Sequence, residues 1–100
     1  MEYEIVVHEL AVEELASIRP FDQRRLISEI REQLANRPGV PTRRRKCLVN
    51  LVPGFEHVQP VWELRVGDFR VFYDVQEDES RVHVRAVRRK EPSQRTKNIV

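Results

Sequence analysis

WELRVGDFRVFY, residues 62–73, decides the fold of this chain because it contains two strand-like segments joined by Gly67 and Asp68. A two-residue loop with glycine in first position fits a type II′ hairpin turn. In the resulting register Trp62, Leu64 and Val66 share one face with Tyr73, Val71 and Phe69. The same register sets Arg65 directly opposite Arg70. Like charges opposed across two strands are destabilising, so this pair needs an explanation.

The strand pattern continues beyond the hairpin, through the acidic turn 77-EDES-80 into a third strand over 81–89. An uninterrupted register pairs Asp74 with His83, Phe72 with Arg85 and Arg70 with Val87. The side chains of Val82, Val84 and Ala86 then join the apolar face, and those of His83, Arg85 and Arg89 join the polar one. The sequence therefore predicts a sheet with one apolar face covered by helices and one open basic face, on which Phe72 is exposed.

The N-terminal part of the chain predicts a strand over 3–7, a short helix over 8–18 and a second helix over 21–36. Leu26, Ile27, Ile30 and Leu34 recur at helical spacing and predict one buried stripe. Prolines and glycine argue for a loop over 37–60, in which 47–52 fits either a short strand or a further helical turn. The polar tail 91–100 is expected to be loosely held.

These elements predict an α+β fold in which an N-terminal strand and a two-helix hairpin pack on one face of a mainly antiparallel four-stranded sheet. The length of 100 residues predicts a single domain over 1–100.

Charge is unevenly distributed along the chain. Residues 1–36 contain four basic and eight acidic side chains, whereas residues 37–100 contain fourteen basic and eight acidic ones. Such asymmetry indicates a basic surface for a polyanion, and a solvated charged surface is the alternative.

Several classes of site and location are disfavoured by the residues present. A single cysteine, Cys47, excludes an internal disulfide and a cysteine-rich zinc site. No metal-ligand spacing, Ser–His–Asp set or Gly-rich phosphate loop is present, so neither a metal nor a cofactor is expected.

No apolar segment is long enough to cross a bilayer, and the acidic N-terminus does not resemble a signal peptide. We therefore expect a cytoplasmic protein with no membrane partner.

The predicted basic face favours a phosphate-rich ligand. Arg65, Arg70, Arg85 and Arg89 offer planar guanidinium groups that match phosphate oxygens, and an exposed Phe72 offers a surface on which a base can stack. The alternative is that these arginines only keep the sheet soluble, partly neutralised by nearby carboxylates.

The stretch 62-WELRVGDFRVFYDV-75 resembles the signature hairpin of the RelE/ParE family of bacterial toxins from toxin–antitoxin pairs. The resemblance covers nearly the whole chain: a strand, two helices, a basic loop and three strands with a basic end. The hairpin motif does not separate the branches of this superfamily.

The resemblance implies a toxin that is silenced by a cognate antitoxin. RelE-like members enter the ribosome and cut messenger RNA, so this chain is expected to be a metal-independent endoribonuclease, or mRNA interferase, whose partners are the ribosome and mRNA. ParE-like members share the fold and inhibit DNA gyrase without nuclease activity. A third alternative is an attenuated toxin that acts mainly within an antitoxin complex.

Site residues follow from the same resemblance. Arg70 matches the arginine that contacts the scissile phosphate, Arg65 matches the one that ends the preceding strand, and Lys90 matches the basic residue after the last strand. Nuclease members often carry lysines where this chain has Val61 and Glu63, and some carry a C-terminal tyrosine that is missing here.

Proton transfer therefore has to be assigned to other groups. Lys90 crowded by arginines is a candidate acid, and His83 titrates in a suitable range. The favoured alternative for His83 is a surface histidine paired with Asp74. The run Arg43, Arg44, Arg45 and Lys46 is expected either to bind RNA phosphates or to be solvated.

Overall fold

The computed structural model describes residues 2–100 and confirms the α+β class. The elements are β1 (Glu4–Val7), α1 (Glu9–Ala16), α2 (Pro20–Leu34), β2 (Arg45–Cys47), β3 (Trp62–Val66), β4 (Phe69–Gln76) and β5 (Arg81–Arg89). The sheet order is β1-β5-β4-β3-β2. The β1–β5 pair is parallel and the other pairs are antiparallel. The sheet thus has five strands rather than the predicted four, because part of the basic run pairs with β3 as β2.

Helix α2 forms where a first-turn proline and apolar spacing favour it. Pro20 occupies the first turn of α2, where its fixed φ and missing N–H are tolerated. Arg19 Nε donates to Asp22 Oδ2 across that turn at 2.7 Å. Leu26, Ile30 and Leu34 of the predicted stripe are buried, whereas Ile27 stays 38% exposed at its edge.

The hairpin has the register that its turn predicts. All five predicted pairs are present, from Trp62 with Tyr73 to Val66 with Phe69, including Arg65 with Arg70. Gly67 has a φ of +57°, the left-handed conformation that the first position of a type II′ turn requires. The turn chemistry therefore fixes which side chains face the helices.

The register between β4 and β5 differs from the predicted one because of a β-bulge. Phe72 pairs with Ala86 and Tyr73 pairs with Val84, so Arg85 is the extra residue on β5. Arg70 consequently pairs with Arg88 rather than Val87. A bulge shifts the side-chain alternation by one residue, and Val87 instead of Ala86 joins the core that the helices cover.

The second face of the sheet is covered around Phe72 rather than open along its whole length. Phe72, Val61 and Ala86 are fully buried there, in a second apolar cluster that also contains Leu48 and Ile99. The cluster is closed by segment 48–61 and by the C-terminal tail. The predicted exposure of Phe72 is therefore wrong. The tail also packs on the sheet, where Arg88 Nη1 donates to the Ile99 carbonyl at 2.9 Å.

Within the described residues, neither helix combines the length and the apolar character needed to cross a bilayer.

Candidate nucleic-acid interface

A basic cavity of about 330 Å³ lies at the hairpin end of the sheet's second face. We call it the basic cavity. Its lining residues are Thr42, Arg43, Arg44, Arg45, Lys46, Glu63, Arg65, Arg70, Lys90 and Thr96. Seven of these ten are basic and one is acidic, which is the composition expected of a site for a polyanion.

Arg65 and Arg70 form the centre of this cavity and face no carboxylate. Their Cα atoms are register partners across β3 and β4. Arg70 Nη1 donates to the carbonyls of Gly67 and Phe69, both at 2.9 Å, and Arg65 Nη2 donates to the Arg43 carbonyl at 3.4 Å. Within residues 2–100 neither guanidinium forms an ion pair. Backbone carbonyls orient the two guanidinium groups. The positive charge of these guanidinium groups remains available to an anion.

Lys90 joins the same cavity through the hairpin turn. Its backbone N–H donates to the Asp68 carbonyl at 2.7 Å, which holds the end of β5 beside the turn. The resemblance placed a basic residue at this point, and the structure brings Lys90 together with Arg65 and Arg70.

The basic run contributes to the cavity unevenly. Arg43 lines it without a carboxylate partner in the described chain, whereas Arg44 pairs with Glu29 on α2 at 2.9 Å. Arg45 is buried, and its Nη1 donates to the Gln33 carbonyl at 2.6 Å. That bond satisfies a carbonyl at the end of α2. Arg45 therefore stabilises the fold, and its guanidinium is not free for RNA as the sequence predicted.

Glu63 is the carboxylate of the cavity, and the sequence suggested for it only a partial neutralisation of the arginines. It is 5% exposed. Its Oε1 lies 3.6 Å from Lys46 Nζ on β2, and its Oε2 accepts a hydrogen bond from Thr96 Oγ1 at 2.7 Å. Its position on the polar face was visible in the sequence. Its partners come from β2 and the tail, for which no pairing could be predicted.

Three other predicted site residues lie outside the basic cavity. The ring of Phe72 is buried in the second apolar cluster. Arg85 is also buried, and its Nε and Nη2 donate to the two carboxylate oxygens of Asp74 at 2.7 and 3.2 Å. Arg89 lies over the ring of Phe69, 5.1 Å from its centroid. The bulge accounts for the placement of Arg89, because it shifts the β5 side chains beyond Arg85 to the opposite face. Arg85 keeps its predicted face, and its ion pair with Asp74 withdraws it from a ligand.

His83 lies away from the cavity, near the beginning of β5. Lys90 lies seven positions further along the chain, which corresponds to a distance of about 23 Å in an extended strand. His83 Nε2 is 2.9 Å from Gln76 Oε1, and His83 Nδ1 is 2.8 Å from His8 Nε2. Because an amide oxygen accepts, His83 donates from Nε2 and accepts at Nδ1 from His8. The predicted pairing of its side chain with Asp74 is replaced by these two bonds.

The surroundings of His8 lower its pKa. Burial lowers the pKa of His8, and electrostatic interactions with Arg85 and His83 lower it further, against the opposing effect of Glu56 and Asp74. The pair of histidines ties the beginning of α1 to β5 and supplies no group to the basic cavity.

A second surface feature lies on the opposite side of the molecule. An apolar groove of about 460 Å³ runs between the helices and β1. Its lining residues are Ile5, Val7, Val12, Leu15, Ala16, Gln23, Ile27, Ile30 and Arg31. Val12 is 50% exposed, so the groove leaves apolar surface in contact with water. Such grooves commonly bind other proteins.

No group of three or more His, Cys, Asp or Glu side chains within residues 2–100 is arranged to hold a metal ion.

The chain matches a family model over residues 5–92, described as the ParE toxin of a type II toxin–antitoxin system, parDE. No curated protein sequence matches it.

Solved structures of toxins share the fold. The RelBE2 toxin–antitoxin complex from Mycobacterium tuberculosis is 18% identical with a TM-score of 0.73, over 90% of this chain and 93% of the other. The archaeal RelE–RelB complex from Pyrococcus horikoshii is 22% identical with a TM-score of 0.70, over 93% and 100%. Free E. coli RelE, with two arginines replaced by alanine, is 19% identical with a TM-score of 0.64, over 93% and 88%. At these identities the likeness concerns the fold alone.

Proposed function

This chain belongs to the ParE toxin family, within the RelE/ParE superfamily of toxins of type II toxin–antitoxin systems, and we propose that it inhibits translation by cutting messenger RNA at the ribosome. The observation that carries this proposal is the side-by-side placement of Arg65 and Arg70, unpaired, in a cavity lined by seven basic residues. A ribosomal target puts its action in the cytoplasm.

The two arginines suit the charge that develops during RNA cleavage. When a 2′-oxygen attacks the adjacent phosphorus, negative charge accumulates on the phosphorane oxygens, and preorganised cations stabilise it. The carbonyls of Gly67 and Phe69 orient Arg70, and that of Arg43 orients Arg65, so little reorganisation is needed when the phosphate binds. Lys90 adds a third cation at the same point.

Two groups of the cavity are proposed to move the protons. Glu63 accepts the proton of the 2′-hydroxyl, the 2′-oxygen bonds to phosphorus, and the bond from phosphorus to the 5′-oxygen breaks. Lys90 donates a proton to the departing 5′-oxygen, which leaves a cyclic phosphate and a free hydroxyl. Lys46 and Thr96 fix the orientation of Glu63. Glu63 thus takes the proton-transfer role that the sequence suggested for His83.

A second candidate function is inhibition of DNA gyrase without chemistry. It is favoured by the family model, which is that of the ParE toxin, and by Glu63, which occupies a position where nuclease members often carry lysine. In that case the basic cavity would contact gyrase or its DNA.

Induction of the chain in cells separates the two functions. The proposal predicts cuts in translated messages at codon positions, abolished by Arg70→Ala, with DNA supercoiling unchanged. Intact messages together with stalled gyrase and an SOS response would contradict the proposal and support the second candidate. Growth without either effect would indicate an attenuated toxin.

We further propose that a cognate antitoxin covers the apolar groove. RelE-like neighbours were solved as complexes with RelB proteins, and the groove exposes Val7, Val12 and Ile27 to water. Burial of these side chains would provide apolar stabilisation of about 25 cal/mol per Å². The groove is separate from the basic cavity, so a chain that also reaches the cavity must wrap around the toxin.

A further inference from the structure

Beside the basic cavity, on the helix side of the hairpin turn, is a smaller cavity of about 170 Å³. It is lined by Arg25, Glu29, Arg44, Arg65, Val66 and Gly67. Arg44 and Arg65 also line the basic cavity, so the two cavities are adjacent and share a wall. Arg25 is the residue that the smaller cavity adds to the cationic surface, and neither the sequence nor the proposed chemistry gives it a role.

The charge of Arg25 is uncompensated for an identifiable reason. Glu29 lies four residues further along α2, at the spacing where a helical ion pair would form. Glu29 is instead engaged by Arg44, whose Nη1 is 2.9 Å from Glu29 Oε2. Within residues 2–100, Arg25 forms no ion pair with any carboxylate. Because Arg44 pairs with Glu29, the guanidinium of Arg25 has no ion-pair partner and is free to bind an anion.

The guanidinium of Arg25 lies directly against the hairpin turn. A Cβ atom on Gly67 would come within 2.8 Å of Arg25 Nη1 and 3.1 Å of Nη2. The missing side chain at Gly67 therefore lets a helix arginine reach the turn that separates Arg65 from Arg70. Arg25, Arg65 and Arg70 consequently lie around one turn and come from three different elements.

We propose that Arg25 binds a second phosphate of the same RNA strand, next to the phosphate held by Arg65 and Arg70. The proposal rests on the proposed function and deepens it, because it gives the strand a path from the basic cavity across the turn to α2. Proteins that bind single strands follow the backbone with a continuous groove of cations. Arg65, which lines both cavities, joins the two phosphate positions.

The test is the salt dependence of RNA binding by the full chain. The probe is a short single-stranded RNA in which every 2′-hydroxyl is methylated, so that it binds without being cut. Each phosphate contact with a single strand contributes about 0.7 to the slope of log K against log salt concentration. We expect Arg25→Ala to reduce that slope by about 0.7, whereas Arg25→Lys keeps it because the charge remains.

The neighbouring Arg24 provides a matched control on the same helix. Arg24 lines a different surface with Ile27, Ser28, Arg31 and Glu32, and Arg24→Ala removes the same charge from the chain. We expect Arg24→Ala to leave the slope unchanged. An equal loss of slope in Arg24→Ala and Arg25→Ala would show a general charge effect and overturn the proposal.

Other outcomes separate this inference from the function on which it rests. If Arg70→Ala reduces the slope and Arg25→Ala does not, the second phosphate position is refuted and the proposed function stands. If Arg25→Ala weakens only antitoxin binding, Arg25 belongs to that interface and the proposal is wrong. If the unaltered chain shows no salt-dependent RNA binding, both proposals fail. Equal thermal midpoints for the unaltered chain and its four variants ensure that the slopes compare folded chains.

Discussion

Arg85 on β5 and Arg70 on β4 lie on neighbouring antiparallel strands, yet their surroundings differ in charge. Arg85 is buried with Asp74, and its Nη1 is also 3.3 Å from Glu56 Oε1. Arg70 faces Arg65 across the hairpin and donates to backbone carbonyls alone among the described residues. One arginine is thus matched by two carboxylates and the other by none. We infer that Arg85 stabilises the fold, and we propose that Arg70 binds an anionic ligand.

This comparison explains the opposed arginines of the hairpin. Repulsion between like charges across a strand pair costs up to about 1 kcal/mol in water. The chain carries enough acidic residues to neutralise the pair, but they engage other cations, such as Glu29 with Arg44 and Glu63 with Lys46. The uncompensated charge is therefore concentrated at one end of the sheet's second face, where a phosphate would relieve it.

The largest expected effect is a loss of stability when the buried ion pair of Arg85 with Asp74 is broken. Arg85→Ala leaves the Asp74 carboxylate buried without its ion-pair partner, which typically costs about 3–5 kcal/mol. We expect the free energy of unfolding, measured by urea denaturation, to fall by about this amount. Arg81→Ala removes an exposed pair with Glu4 and should cost less than about 1 kcal/mol. Equal losses in the two variants would contradict the distinction between buried and exposed pairs.

Phe72→Ala tests whether the second face is covered. Phe72 is fully buried between Phe55, Val61 and Ala86, so its removal creates a cavity and should destabilise the chain by about 3 kcal/mol or more. Phe72→Leu keeps most of the volume and should cost markedly less. A Phe72→Ala variant as stable as the unaltered chain, but weaker in RNA binding, would instead support the exposed stacking position that the sequence suggested.

Val12→Asp tests whether the apolar groove, rather than other exposed apolar residues, binds the antitoxin. Val12 lines the apolar groove and is 50% exposed, whereas Val49 is 76% exposed in the loop on the other face. A charge in the groove should weaken binding of the purified antitoxin about tenfold or more, equivalent to about 1.4 kcal/mol. Val49→Asp serves as the control and should bind normally. Equal weakening by both substitutions would contradict this placement and show that the antitoxin contacts a broader surface.

The smallest effect concerns the histidine pair. Because the pKa of His8 is lowered from 6.5 in the folded state, its protonation favours the unfolded chain. The contribution of His8 to stability is therefore complete above pH 6.5 and is lost progressively as the pH falls toward its lowered pKa. We expect His8→Gln to reduce the pH dependence of the unfolding free energy between about pH 7 and 5. An unchanged slope in His8→Gln would contradict this assignment.

The parts of the fold that sequence predicted are those fixed by local chemistry. Gly67 in first position of a two-residue turn determined the pairing of β3 with β4, and apolar spacing placed Leu26, Ile30 and Leu34 in the core. These features depend on residues that are neighbours in sequence, so their period and turn type identify them.

The parts that sequence missed depend on contacts between distant segments. The bulge at Arg85 inserts one residue, and no local signal marked it, so every β5 side chain beyond it was assigned to the wrong face. Segment 48–61 and the tail lack a regular period, although Leu48 and Ile99 bury Phe72. The hairpin register identified Arg65 and Arg70, because it depends on residues that are close in sequence. Glu63 and Arg25 could not be identified in this way, because their surroundings are formed by the distant segments β2 and α2.

The most direct test of the central claim measures stability and activity of Arg70→Ala in the same preparation. Ribosomes programmed with a defined message are mixed with the purified toxin, cuts are mapped by primer extension, and unfolding is followed in urea. We predict a fall in cleavage rate of about 10²- to 10³-fold, while the free energy of unfolding changes by less than about 1 kcal/mol or rises as repulsion with Arg65 is removed. Cleavage at the unaltered rate, or a loss of stability as large as that of Arg85→Ala, would contradict the account.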